Sequence, residues 1–289
     1  MQKKHVFIVL GVLVLLLVAV VALLHPTPRY YLTGKAKHES SYAGRPTSYW
    51  VDMIVANTPD QTNFFLDDVY GWIGIAADRP NWTVLAAGDP QALPVLRELL
   101  QSKHPQVRDM AARTLQAFAY SASTKKTEIP QWKEIVAEVL ALQKEGQLKN
   151  PVVIELCGEI GPDAKAAVPL LEATVQNGKE RLGTRVQCAA ALSRIDPSNE
   201  SAINVLVKAV QSQDDRASSR AISALWQYVQ SHATESDALV KPHYADVKKG
   251  IVSYLERQDD DDPTVNLEPA KQLLRHIDPA AAKGKGSAN

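Results

Sequence analysis

Cysteine occurs only twice in 289 residues, at Cys157 and Cys188. The chain is therefore no disulfide-stapled scaffold and has to fold by burying apolar surface. Aromatic residues make up 6% of it against 45% hydrophobic residues overall, so small aliphatic side chains must fill the core. Neither charge sign dominates, with 32 basic residues against 32 acidic ones. A nucleic-acid-binding domain is normally basic, and no nucleic-acid partner is expected. The seven histidines are scattered, with no His-x-x-x-His and none beside a cysteine at ligand spacing, which argues against a metal site. Gly-x-Ser-x-Gly, Gly-x-Gly-x-x-Gly and a phosphate-binding loop are lacking too. No catalytic residue, cofactor or enzymatic activity is expected. The acidic run at 259–262 lacks the alternating ligands of a calcium loop, and Pro263 and Thr264 break that frame. It reads as a solvated turn, with Asp262 capping the last helix.

What the sequence has in abundance is apolar residues at its N-terminal end. Residues 6–24 form an unbroken apolar run of 19, which as a helix spans about 28 Å, close to the hydrocarbon thickness of a bilayer. Lys3 and Lys4 precede it, and Tyr30 and Tyr31 follow at about headgroup depth. The expectation is a membrane anchor over 1–25. A signal peptide cleaved after Val20-Val21-Ala22 is the rival, although the run exceeds the usual length of such a segment. The Lys-Lys tail favours a cytoplasmic N-terminus with the remainder outside; Arg29, Lys35 and Lys37 pull the other way. Residues 26–46 read as an extended linker, because Pro26, Pro28 and Pro46 resist helix. A helix opens near Thr47 or Ser48 as N-cap, and Trp50 and Ile54, four apart, cover its apolar side. A second helix is expected over 61–75.

From about residue 90 the chain repeats itself. With Leu192 as reference, Arg108, Ala111, Leu115 and Phe118 overlay Arg185, Cys188, Leu192 and Ile195. Ala221, Leu225 and Tyr228 repeat that register, Cys157 and Ile160 do so in part, and Ala270, Leu274 and Ile277 give a weaker last copy. The reference positions step by 42, 35, 33 and 49 residues, as helical pairs joined by variable loops would. The predicted pairs are 90–102 with 105–119, 130–144 with 150–160, 164–177 with 180–195, 199–212 with 215–231, and 242–258 with 263–277. Within the third, Gly161 supplies a left-handed residue at a helix end, Pro162 stops the helix, and Asp163 can cap its successor at Ala164. Both cysteines fall on inward positions one turn out of register, an awkward separation for a bridge. They read as small buried hydrophobes.

The stretches Gly-Glu-Ile-Gly-Pro-Asp-Ala-Lys-Ala-Ala-Val-Pro-Leu-Leu-Glu-Ala-Thr-Val (158–175) and Pro-Gln-Val-Arg-Asp-Met-Ala-Ala-Arg-Thr-Leu-Gln-Ala-Phe-Ala (105–119) resemble bacterial HEAT-like repeats of the phycobilin-lyase type. The entry Gly44-Arg-Pro-Thr-Ser-Tyr-Trp50 resembles the lead-in of membrane-anchored bacterial HEAT-repeat proteins of unknown function. The resemblance implies an all-α superhelix of about six helical pairs over 47–278, followed by a disordered tail over 279–289. In such solenoids the second helices line the concave face. By register Arg113, Ala190 and Ser223 form one solvent column there, and Gln116, Ser193 and Trp226 the next. Trp226 reads either as an anchor for a partner or as cover for the joint to the next helix, and Trp82, in the loop 76–89, as a contact residue or a pin. The expectation is a non-enzymatic scaffold, tethered by residues 6–24 in a bacterial inner membrane with its repeats on the non-cytoplasmic side. It would bind a protein partner on the concave face. The alternative is a phycobilin-lyase-like enzyme or accessory holding a small molecule.

Overall fold

The computed structural model describes residues 11–14, 16, 26–56, 82–231, 237–258 and 266–279. The chain divides into two compact units, Met1–Thr127 and Glu128–Asn289. The expected helix over 61–75, the acidic run at 259–262 with its Asp262 cap, and nearly all of the 279–289 tail lie outside the described residues. So does most of the apolar run at 6–24. Of that run, residues 11–14 and 16 are helical, and Val12, Leu13, Val14 and Leu16 are exposed. Among the described residues no helix is long and apolar enough to cross a membrane.

In the first unit, helix α1 (Pro26–Ala36) stands where an extended linker was expected. Its two prolines occupy the first and third helical positions, whose N–H groups have no intrahelical partner to lose, so they start the helix instead of breaking it. Beyond it, β1 (Ser41–Tyr42) pairs antiparallel with β2 (Arg45–Pro46). The hairpin turns through Ala43 and Gly44, both at positive φ, the backbone that suits a two-residue turn. Helix α2 (Thr47–Ala56) follows directly. Its first turn is capped from outside: the Glu39 carboxylate accepts from Ser48 N at 2.9 Å, a role the sequence assigned to Thr47 or Ser48. Thr47 donates instead to Glu98 Oε2 at 2.5 Å. Trp50 is completely buried and its indole N–H donates to Arg45 O at 3.2 Å, so it seals this end of the unit.

Helices α3 (Leu93–Leu100) and α4 (Pro105–Thr124) form the next pair, preceded by 3-10 turns at Trp82–Ala86 and Pro90–Ala92. Leu96, Leu99 and Leu100 of α3 meet Ala111, Leu115 and Phe118 of α4 in a core with no solvent exposure beyond 1%. Helix α2 packs on both.

The second unit is two layers of helices. First helices of each pair are α5 (Trp132–Lys144), α7 (Val168–Gln176), α9 (Glu200–Val210) and α12 (Tyr244–Arg257). Second helices are α6 (Asn150–Ile160), α8 (Leu182–Ile195), α10 (Asp215–Ser231) and α13 (Glu268–Ile277), with the short α11 (Asp237–Val240) between α10 and α12. The second helices stack α6 on α8, α8 on α10 and α10 on α13, while α9 packs against both α7 and α12. The reference residues Cys157, Leu192 and Leu225 are all buried, as are Cys188, Ala221, Ile195 and Tyr228. In the last copy the register shifts by one: Leu273 is buried and Leu274 is only half-buried. Gly161 has φ of 72°, but the chain then runs through a 3-10 segment, Gly161–Ala167. Helix α7 consequently starts at Val168 on Ala167, with no side-chain cap, and Asp163 does not serve it.

Candidate interaction surface

In three of the pairs, a side chain in the first turn of the second helix reaches back to the end of the helix before it. Arg108 donates to Ser102 O at 2.6 Å; Arg185 Nε donates to Val175 O at 2.9 Å. Ser218, one of the positions that lacks the arginine, places its buried hydroxyl 3.0 Å from Ala209 O and 2.9 Å from Ser212 O. A helix leaves its last carbonyls without intrahelical partners, and one register position supplies donors to them in three of the pairs. These residues serve the fold.

Apolar side chains of the second helices turn inward, so their solvent side is a stripe of polar and small residues at a spacing of four, three and four. On α8 it runs Gly183, Gln187, Ala190, Arg194; on α10 it runs Arg216, Arg220, Ser223, Gln227. Residues three, four and seven apart share a helix face, and every member is exposed or half-buried. Side chains link the stripes across the stack. Gln187 donates to Glu155 Oε1 at 3.3 Å, and Arg194 bridges two neighbours, donating to Glu159 Oε1 at 2.7 Å and to Gln227 Oε1. On α6 the acidic Glu155 and Glu159 are engaged by Gln187 and Arg194, whereas Arg216 and Arg220 on α10 are exposed. Arg216 and Arg220 form no ion pair among the described residues.

The two predicted columns fare differently. Ala190 and Ser223 lie on the solvent stripe. Ser193 does not: it is buried and donates to Ala190 O at 2.9 Å, because its register position faces the neighbouring second helix. Gly158 occupies the same position on α6, where an added Cβ would lie 3.1 Å from Ala191 Cβ. Trp226, again at that position on α10, is half-buried. In the first unit, Arg113 is exposed and paired with Asp109 at 2.9 Å, and Gln116 is half-buried.

Tyr120 is the residue that the sequence reading missed. It is 63% exposed, one turn beyond Gln116 and two beyond Arg113 on α4, so the three make one stripe. The signal was there: Tyr120 lies five residues past the reference leucine, off the apolar face. Trp82 has its backbone in a 3-10 turn, and its side chain lies outside the described residues.

The cysteines are free and buried. Burial pushes the Cys157 thiol up to about 12 and the Cys188 thiol to about 11. A thiol that stays protonated at neutral pH is a poor nucleophile, and neither is suited to covalent chemistry. Among the described residues no group of three or more His, Cys, Asp or Glu is placed to hold a metal ion.

Residues 92–122 match the HEAT repeat family; they cover α3 and all but the end of α4. No curated protein and no solved structure matches the chain. The repeat match and the stacked helical pairs together support a HEAT-like repeat protein.

Proposed function

We propose that the chain is a membrane-tethered, non-enzymatic scaffold that binds a protein partner along the solvent stripes of its second helices. The observation that carries the reading is the stripe itself: a polar face on stacked second helices, cross-linked by Glu159, Arg194 and Gln227, with Trp226 part-exposed at its edge. A half-buried tryptophan on a helix that also exposes Arg216 and Arg220 has the composition of interface anchors. The exposed Arg216 and Arg220 suit a partner that presents acidic side chains opposite α10. Residues 6–24 supply the tether, in a bacterial inner membrane, with Lys3 and Lys4 keeping the N-terminus cytoplasmic and the repeats on the other side. Tethering raises the effective concentration of a partner held at the same membrane.

The test is affinity capture from detergent-solubilised membranes, comparing the wild-type chain with Trp226→Ala and with Arg113→Glu. Loss of the same partner band from at least one variant, with helical content unchanged by circular dichroism, is the expected result. Equal recovery of every partner by both variants rejects the surface.

A further inference from the structure

Exposed large apolar side chains are concentrated at one end of this chain. Among the described residues they are Val12, Leu13, Val14, Leu16, Tyr31, Leu32, Val84, Tyr120 and Val252. The first four belong to the apolar run at 6–24. Tyr31 and Leu32 are next in sequence, 55% and 56% exposed, on α1. Lys35, also exposed, lies four residues from Tyr31 and three from Leu32, so the three share one helix face.

The opposite side of α1 is bolted to the first unit. Tyr30 OH donates to Asp52 Oδ2 at 2.8 Å, and its ring meets that of Tyr49 edge-on at 5.2 Å. Gly34 approaches Pro46 so closely that an added Cβ would stand 2.3 Å from the proline Cβ. Helix α1 therefore has a docked face and a bare one, and the bare one is apolar with a cationic edge.

We propose that the Tyr31–Leu32–Lys35 face of α1 lies in the headgroup layer of the bilayer that holds residues 6–24, so that the first repeat is seated on the membrane surface and not suspended from it. The inference rests on the membrane tether proposed above. The polar layer outside the hydrocarbon is roughly 5–8 Å deep on each side. At 1.5 Å per residue an upright helix would carry Tyr31 about 10 Å and Lys35 about 16 Å beyond Leu24, so the face occupies that layer only with α1 lying along the membrane surface, and the proposal includes that orientation. Chemistry favours it over a protein occupant: tyrosine rings settle at the interface, leucine dips below it, and a lysine stem runs along apolar surface with its ammonium among phosphates.

The test uses the full chain reconstituted in phosphatidylcholine vesicles with and without phosphatidylglycerol. Leu32→Cys is labelled with an environment-sensitive fluorophore, and Lys144→Cys, on the exposed side of α5, serves as control. Cys157 and Cys188 are buried and do not compete for the label. The expected result is that headgroup-attached nitroxide lipids quench the label at 32 and leave that at 144 unaffected, with stronger quenching when phosphatidylglycerol is present. Protein that resists alkaline extraction while the label at 32 goes unquenched overturns the inference and leaves the tether standing. Protein stripped from the vesicles by alkali removes the tether, and the inference with it. Emission at 32 that changes only with protein density assigns the face to a second copy of the chain and also overturns it.

Discussion

Trp50 illustrates how much one side chain carries at the edge of the fold. It is buried on every side, and its single polar atom is satisfied by Arg45 O. Trp50→Ala should cost about 3–5 kcal/mol, the usual range for emptying a large aromatic site, measured by urea unfolding followed by circular dichroism. The cysteines give a pH-dependent counterpart. Their folded pKa values are raised, so the folded state keeps its protons where the unfolded chain has begun to lose them. Their contribution is intact below the unfolded thiol value of about 8.5 and is lost as pH rises toward about 11 and about 12. The Cys157→Ala/Cys188→Ala variant should show a shallower loss of stability above pH 9 than the wild type, and parallel curves would refute it. Both roles could be read from sequence, because inward register positions and a tryptophan four residues from Ile54 are local patterns. The burial of Ser193 could not: a serine one residue past the reference leucine looks solvent-facing until the neighbouring helix is placed beside it.

At the scale of the element, the tie between paired helices is the feature most open to test. Ser218→Ala removes a buried hydroxyl shared by two carbonyls and should destabilise by about 1–3 kcal/mol, the penalty for leaving buried acceptors unpaired. Ser218→Thr keeps the hydroxyl and should recover part of that loss in the same thermal melts. Gly250 sets a second constraint. An added Cβ would lie 2.7 Å from Val210 Cγ1 and 2.9 Å from Val210 O, so α12 can approach α9 only without a side chain there. Gly250→Ala should cost about 1–3 kcal/mol by overpacking, although alanine is the better helix former. The predicted helices 130–144, 150–160, 199–212 and 215–231 lie within two residues of those found, since their apolar period and end signals agree. Helix α1 escaped prediction for a physical reason. Prolines are read as breakers, but in a first turn they forfeit nothing, and what holds α1 in place is contact with Pro46 and with Tyr49 and Asp52 of α2, which the local pattern of 26–36 does not show.

Within the second unit, the two inner pairs are covered on both sides, and the last has a neighbour on one side only. Stability in stacked repeats is a sum of intrinsic and nearest-neighbour terms, so it should fall toward such an end. Hydrogen exchange should therefore find the slowest amides in α8 and α9 and faster ones in α13, whose Leu274 and Ile277 are only half-buried. Uniform protection across the four pairs would contradict this. The solvent stripe was half legible: its first column follows from the helical period, but the seam column needs the distance between layers, which no single helix encodes.

Arg257 reaches out of its own pair, donating to Ser212 O at 3.0 Å and to Asp215 Oδ1 at 3.0 Å while holding Ser253. Anyone wishing to lengthen or shorten this protein by one unit would cut that stitch wherever the blade fell between α9 and α12. This copy is thus no interchangeable bead: it is fastened to the one before it, and if transplanted it would arrive with that fastening pointing at residues that are no longer there.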